Sequence, residues 1–190
     1  MKAESLALRS PHVSAPEPIQ PARALVRVAI EGSGSSNVAT GVSVLDHLLR
    51  VLAEYASFDL TLEVAPGDAE DEVRAAGRAF GEALAEPLRA DGVRGHSSAV
   101  LPSAEALAHV TLEASGEPLL VSNVDLSSAR LGGMGSDVVA AFLHELVEGA
   151  SLTLHVRLID GSDTHHVLEA IFKALGVTLA QACRPRRRKE

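Results

Sequence analysis

Apolar positions along this chain change period several times, and each change predicts an element. "ALVRVAI" (24–30) alternates apolar and polar residues, the two-residue period of a half-buried strand, and "EGSGSSN" after it reads as a turn. "SVLDHLLRVLAEYA" (43–56) returns to apolar residues at helical spacing. "FDLTLEV" (58–64) alternates again, "PGD" turns the chain, and "EDEVRAAGRAFGEALAEPL" reads as a second helix. In the second half "AHVTLEAS" and "EPLLVSNVDL" read as strands and residues 136–150 as a helix. "SLTLHVRLI" follows as a strand, "DGSD" as a turn and "THHVLEAIFKALGVTLAQA" as a helix.

The order of elements repeats, and so do the letters. "ASFDLTLEVAPGD" at residue 56 lies over "ASLTLHVRLIDGS" at residue 150, an offset of 94. The helices that follow match best at 95, with Ala79 over Ala174 and Phe80-Gly81 over Leu175-Gly176. Paired strands with segregated helices predict an α+β fold rather than a wound parallel sheet. The expectation is two duplicated halves, 24–95 and 96–183, each a mainly antiparallel sheet covered by two helices on one face. The two helix layers would bury each other. Residues 1–23, with four prolines between positions 10 and 22, read as an N-terminal arm, and 184–190 as a basic tail.

Composition narrows the function classes. Hydrophobic residues make up 46% of the 190-residue chain and charged residues 22%, a globular balance. Aromatics are only 3%, with no Trp, so the core is built from Ala, Val and Leu, and the composition argues against stacking on extruded bases as a main activity. A net charge of −8 argues against a nucleic-acid surface on the main body. The tail "RPRRRKE" is the exception: either a solvated terminus or a docking segment for an acidic partner or nucleic acid. The single cysteine, Cys183, allows no internal disulfide and fits a reducing compartment. No apolar run approaches the roughly 20 residues that span a bilayer, and the first residues lack a signal-like stretch, so the expected location is cytoplasmic, away from membranes.

The candidate chemistry lies in the last predicted helix. Residues four apart share a helix face, so His165 neighbours Glu169, and Lys173 lies one turn further. His166 points about a hundred degrees away, within reach of Glu169. Two imidazoles and a carboxylate suit a borderline divalent cation such as manganese or zinc. By themselves, paired histidines on a helix are more often structural or exposed than metal ligands. His47, within the apolar "LDHLL", is either a buried hydrogen-bonded histidine or a ligand. His155 points to the opposite strand face from Leu154 and Val156, and is either a ligand or a sheet-surface residue. Lys173 either binds phosphate as a point charge or pairs with Glu169.

Taken together, these stretches resemble the imidazoleglycerol-phosphate dehydratase family. "LHVRLIDGSDTHHVLEAIFKAL" is similar to its L-H motif followed by H-H-x-x-E-A-x-F-K-A, and "TGVSVLDHLLRVLAEYASFDL" to its T-G…L-D-H-M-L…F-D-L. "PSAEAL" (102–107) is similar to P-M-D-E-A-L, and "LEASGEPLLV" to L-D-L-S-G-R-P. The resemblance is collinear from about residue 24 to 182. It implies the ribosomal S5 domain 2-like duplicated fold. It also implies removal of water from imidazole glycerol phosphate, a lyase step of histidine biosynthesis that uses two manganese ions. The implied partners are that small phosphorylated imidazole and other copies of the chain, in a homo-oligomer of up to 24 subunits with sites at subunit interfaces. The implied metal ligands are His47, His155, His165, His166 and Glu169. Glu169 and His47 are the implied catalytic groups, and Lys173 and Glu105 the implied substrate contacts.

Departures from the pattern cluster on chemical positions. The family carries a first H-H-x-x-E ahead of the helix that ends G-x-A-L. Counting back from "GEAL" places Glu70, Asp71 and Arg74 there, and a slip of one residue places Asp71, Glu72 and Ala75. Neither register offers a histidine, and an arginine repels a cation. The family's phosphate-binding arginines fall on Gly95, beside Arg94, and on Glu117. The aspartate of P-M-D-E is Ala104, and the terminal P-S-T-K-G is replaced by the basic tail. The expectation is a dehydratase-like chain with reduced manganese occupancy and impaired activity. The alternative is a non-catalytic relative that serves as an assembly subunit or binds another ligand.

Overall fold

The computed structural model describes residues 23–124, 130–131, 134–135 and 137–186. Most of the expected N-terminal arm and residues 187–190 of the basic tail lie outside the described residues. The elements run β1 (Ala24–Ala29), β2 (Ser36–Ala39), α1 (Ser43–Ala56), β3 (Asp59–Val64) and α2 (Ala69–Arg89). They continue with β4 (His96–Ser103), β5 (Ala106–Glu113), β6 (Leu119–Ser122), β7 (Arg130–Leu131) and β8 (Met134–Gly135). α3 (Asp137–Ala150), β9 (Thr153–Asp160) and α4 (Thr164–Ala182) complete the chain. β7 and β8 pair as a short antiparallel ribbon.

The duplication is visible strand by strand. The first sheet has the order β1-β3-β2 and the second β4-β5-β9-β6. In each, the central strand takes an antiparallel neighbour on one side and a parallel one on the other. Val26, Leu62 and Val38 form one row across β1-β3-β2, and Val110, Val156 and Ser122 the matching row across β5-β9-β6. Helix ends repeat as well. α1 and α3 both stop at a serine in the left-handed region, Ser57 (φ 56°) and Ser151 (φ 48°), which closes the last turn through equivalent backbone hydrogen bonds.

Four strands escape the periodicity reading: β7 and β8, of two residues each, and the longer β4 and β2. β4 contains Pro102, which removes a ladder donor, and "HSSAVLPS" lacks an alternating apolar face. The proline is tolerated because β4 is an edge strand. β2 is a four-residue edge strand inside what reads as turn sequence.

Burial follows from the two periods. Leu60 and Leu62 of β3 and Leu154 and Val156 of β9 face the helices and are closed to solvent. The helix layers meet in crossed pairs, α1 with α4 and α2 with α3. All four phenylalanines are buried, and Phe80, Phe142 and Phe172 form a chain across the layers with ring centroids 6.4 and 6.0 Å apart. The α1–α4 crossing is close enough that a Cβ on Gly176 would sit 2.5 Å from the Leu52 carbonyl oxygen. Its repeat partner Gly81 meets the Leu146 carbonyl at the α2–α3 crossing in the same way. The start of the basic tail is tied down: Arg186 donates from its backbone N–H to Gly92 O and from Nε to Val93 O, both at 2.7 Å.

Candidate metal centre

α1 and α4 lie side by side in the same sense, so their first turns converge. The α4 start is set by Asp163, whose carboxylate accepts from the backbone N–H groups of His165 (2.9 Å) and His166 (3.2 Å). This cap fixes the phase of the helix and turns His165 and Glu169 toward α1. His47 on α1 reaches Glu169 Oε1 through Nε2 at 2.9 Å, and His165 Nε2 stands 3.2 Å from the same oxygen. The two imidazoles stack with centroids 5.5 Å apart and an interplanar angle of 21°. Among the described residues, His47, His165 and Glu169 are the three-residue group whose ligand atoms lie within 4.8 Å of one another. Both histidines are about half exposed, so the group opens to solvent.

The far oxygen of Glu169 has different neighbours. Ser103, the last residue of β4, donates its hydroxyl to Oε2 at 2.7 Å and accepts from Lys173 Nζ at 2.9 Å. Lys173 Nζ lies 3.6 Å from Oε2 and 5.6 Å from the centre of the Tyr55 ring. The ammonium expected either to hold phosphate or to pair with Glu169 is engaged inside the chain, in a half-buried position rather than on an open face. Hydrogen bonds from His47, then Ser103, hold the Glu169 carboxyl down at about 2, with Lys173 and His165 adding to the effect. That depression belongs to the folded state. It contributes stability that is present above the ordinary value of 4.5 and is lost as pH falls toward 2. Thermal melts of the metal-free protein are expected to show this loss, and Glu169→Gln to remove that part of the acid dependence. An unchanged acid profile in the variant would contradict it.

The remaining expected residues sort into two places. His166 turns away from the group. Its Nδ1 sits 2.6 Å from Glu105 Oε2, and the Glu105 carboxylate also accepts from Asp163 N–H at 3.1 Å. Backbone N–H groups of Glu105 itself and Asp163, more than His166, keep the Glu105 carboxyl below its usual range. Ala104 beside it adopts φ 48°, which an L-alanine takes only at a cost of about 1 kcal/mol. His155 lies on the outer face of the second sheet, with His109, Thr111 and Arg157 around it. Leu154 and Val156 point to the helices instead. One chain therefore brings His47, His165 and Glu169 together, sets His166 with Glu105 beside them, and leaves His155 on the opposite side of the sheet. Ser103 carries no motif signal. Its position between Lys173 and Glu169 depends on β4, which periodicity does not reveal.

The first half shows what stands at the repeat-equivalent place. Asp68 caps α2 through Glu70 N–H at 2.9 Å, as Asp163 caps α4. The two caps are 95 residues apart, which selects the first of the two registers. Glu70, Asp71, Arg74 and Arg78 occupy the places of His165, His166, Glu169 and Lys173. Arg74 donates to Glu70 Oε1 at 2.7 Å and lies 3.5 Å from Glu145, and Arg78 lies 3.2 Å from Glu145. Glu70, followed by Glu145, raises the Arg74 guanidinium above its ordinary value, so the charge there is fixed and positive.

Comparison with known proteins agrees with this geometry. A family model described as imidazoleglycerol-phosphate dehydratase matches residues 40–179. The chain is 39% identical over 162 residues to the imidazoleglycerol-phosphate dehydratase of Acetivibrio thermocellus, covering 83% of each chain. It is 41% identical over 162 residues to that of Syntrophobacter fumaroxidans, covering 83% of this chain and 82% of the relative. The crystal structure of the Staphylococcus aureus enzyme superposes with a TM-score of 0.79 at 30% identity, over 86% of this chain and 94% of that one. That of Pyrococcus furiosus in complex with (S)-C348 gives 0.78 at 25% identity, over 90% and 94%.

Proposed function

This chain belongs to the imidazoleglycerol-phosphate dehydratase family, and on that premise we propose that it binds one divalent cation per chain at His47, His165 and Glu169 and is a severely impaired dehydratase. Its place is histidine biosynthesis, and its ligand class is the small phosphorylated imidazole on which the named family acts. The donor set fits the cation the family implies. Two half-exposed imidazole nitrogens and one ionised carboxylate oxygen suit manganese or zinc. Such an ion supplies Lewis-acid polarisation of a coordinated imidazole. The chain's own residues hold the carboxylate ionised, stack the two histidines and keep Lys173 against Ser103. His155 faces such a group only from another copy of the chain, which favours a homo-oligomer, up to the family's 24-subunit shell.

The observation that carries the impairment is the charge inversion on α2. Arg74 stands where α4 has Glu169, and it is held by Glu70 and Glu145. No histidine faces it from α2. The same ion pairs favour the second reading, a subunit retained for assembly, because they join α2 to α3 without leaving an unpaired charge.

Metal analysis tests the proposal. After manganese loading and desalting, about one ion per chain is expected, and Glu169→Gln or His165→Ala should remove nearly all of it. Two tightly held ions per chain would show that other groups replace the missing ligands, and none would remove the metal reading.

A further inference from the structure

The geometry points to Ser103 as a positioning residue that decides which oxygen of Glu169 faces the cation, an inference that rests on the metal reading above. Glu169 is the one carboxylate of the cluster, and the structure treats its two oxygens differently. Oε1 faces both histidines, at 2.9 Å from His47 Nε2 and 3.2 Å from His165 Nε2. Oε2 is taken by the Ser103 hydroxyl at 2.7 Å.

Donor accounting leaves little freedom. A serine hydroxyl has one proton and two lone pairs. Lys173 has only protons to offer, and it stands 2.9 Å from Ser103 Oγ, so the hydroxyl accepts from Lys173 and must spend its proton on Glu169. Ser103 is itself buried, 6% exposed, at the end of β4 where α4 packs against the sheet. Water does not easily take its place. Lys173 is held on its other side over the Tyr55 ring.

The hydroxyl therefore does two things at once. It pins the carboxylate by its far oxygen, so that a single oxygen is presented to the cation. It also stands between Lys173 and Glu169, which are 3.6 Å apart and free to close on each other once the spacer is gone. A carboxylate drawn toward an ammonium is a poorer cation ligand. The resembling motif has methionine where this chain has Ser103, and a thioether cannot donate a proton.

Ser103→Ala and Ser103→Thr, prepared metal-free, separate positioning from mere packing. Manganese and cobalt are titrated by calorimetry, the cobalt visible spectrum is recorded, and melting of the metal-free proteins is followed. Ser103→Ala is expected to weaken cation affinity by roughly 10- to 100-fold, the usual effect of losing a group that orients a ligand, and to change the cobalt spectrum. Ser103→Thr keeps the hydroxyl and is expected to remain within a few-fold of the parent. Ser103→Cys replaces the alanine variant if that one does not fold, and the same weakening is expected of it. Equal affinity and spectra in parent and alanine or cysteine variants would overturn the role of Ser103 while leaving the metal site standing. No binding by the parent protein would remove both readings. A threonine variant as weak as alanine, with an unchanged melt, would also overturn it.

Discussion

Supplied alone to a histidine auxotroph that lacks its dehydratase, this chain is expected not to restore growth. The purified, manganese-loaded protein is expected to process imidazole glycerol phosphate at least about 100-fold more slowly than a family enzyme with both H-H-x-x-E motifs. Two sets of groups carry the deficit. On α2, Glu70, Asp71 and Arg74 stand where the second half has His165, His166 and Glu169, so that place offers no imidazole and carries a fixed positive charge at Arg74. On the family resemblance, Gly95 and Glu117 stand at the places expected to hold phosphate-binding arginines, and a carboxylate there would oppose a phosphate's charge. A charge-assisted hydrogen bond is worth about 1.5–3 kcal/mol, so two such losses amount to roughly two to four decades at 1.4 kcal/mol per decade. An ion that holds the reacting imidazole acts on the transition state, so its loss lowers turnover rather than substrate affinity alone. Rescue of the auxotroph by this chain without a second dehydratase gene would refute the prediction. Co-purification of this chain with a complete family member in one particle would instead support the assembly-subunit reading.

A large loss of stability is expected from one methyl group at the α1–α4 crossing. Gly176→Ala gains about 1 kcal/mol of helix propensity. It also places Cβ 2.5 Å from the Leu52 carbonyl oxygen and 3.2 Å from the Ala56 nitrogen, both backbone atoms that cannot rotate away. The helices must separate, and overpacking of this kind costs about 1–3 kcal/mol and occasionally more. After the propensity gain, a net loss of roughly 1–2 kcal/mol in urea unfolding is expected. The same movement would draw His47 away from Glu169 and weaken cation binding, since α1 and α4 carry one ligand set between them. Gly67→Ala is the matched control, because its Cβ would meet nothing nearer than the Ala65 carbonyl at 4.0 Å. A Gly176→Ala protein as stable as the control variant would show that the crossing has slack.

Local chemistry made much of the molecule legible. Alternation marked β1, β3, β5 and β9, and helical spacing marked all four helices, because each element buries one face and the two periods differ. The offsets of 94 and 95 exposed the duplication, because both halves must place a central strand and a long helix in equivalent positions. The same signals failed for β4 and β2. Each is an edge strand, one interrupted by Pro102 and the other only four residues long, so neither needs an alternating apolar face.

The sequence by itself therefore determined the duplicated α+β frame, the helix that carries His165, His166 and Glu169, and the loss of that motif from α2. Only the tertiary structure decided which groups meet. His47 and Glu169 are 122 residues apart and touch because Gly176 lets α1 approach α4. His155, the third residue of β9, faces the other side of the sheet because its neighbours Leu154 and Val156 claim the helix side. Arg74 finds Glu145, and Ser103 finds Lys173 and Glu169, across element boundaries that no local period records. Period and capping act between residues a few positions apart and are written in the order of the letters, whereas a ligand set is an agreement among side chains on separate elements, settled by how closely the helices and sheets pack.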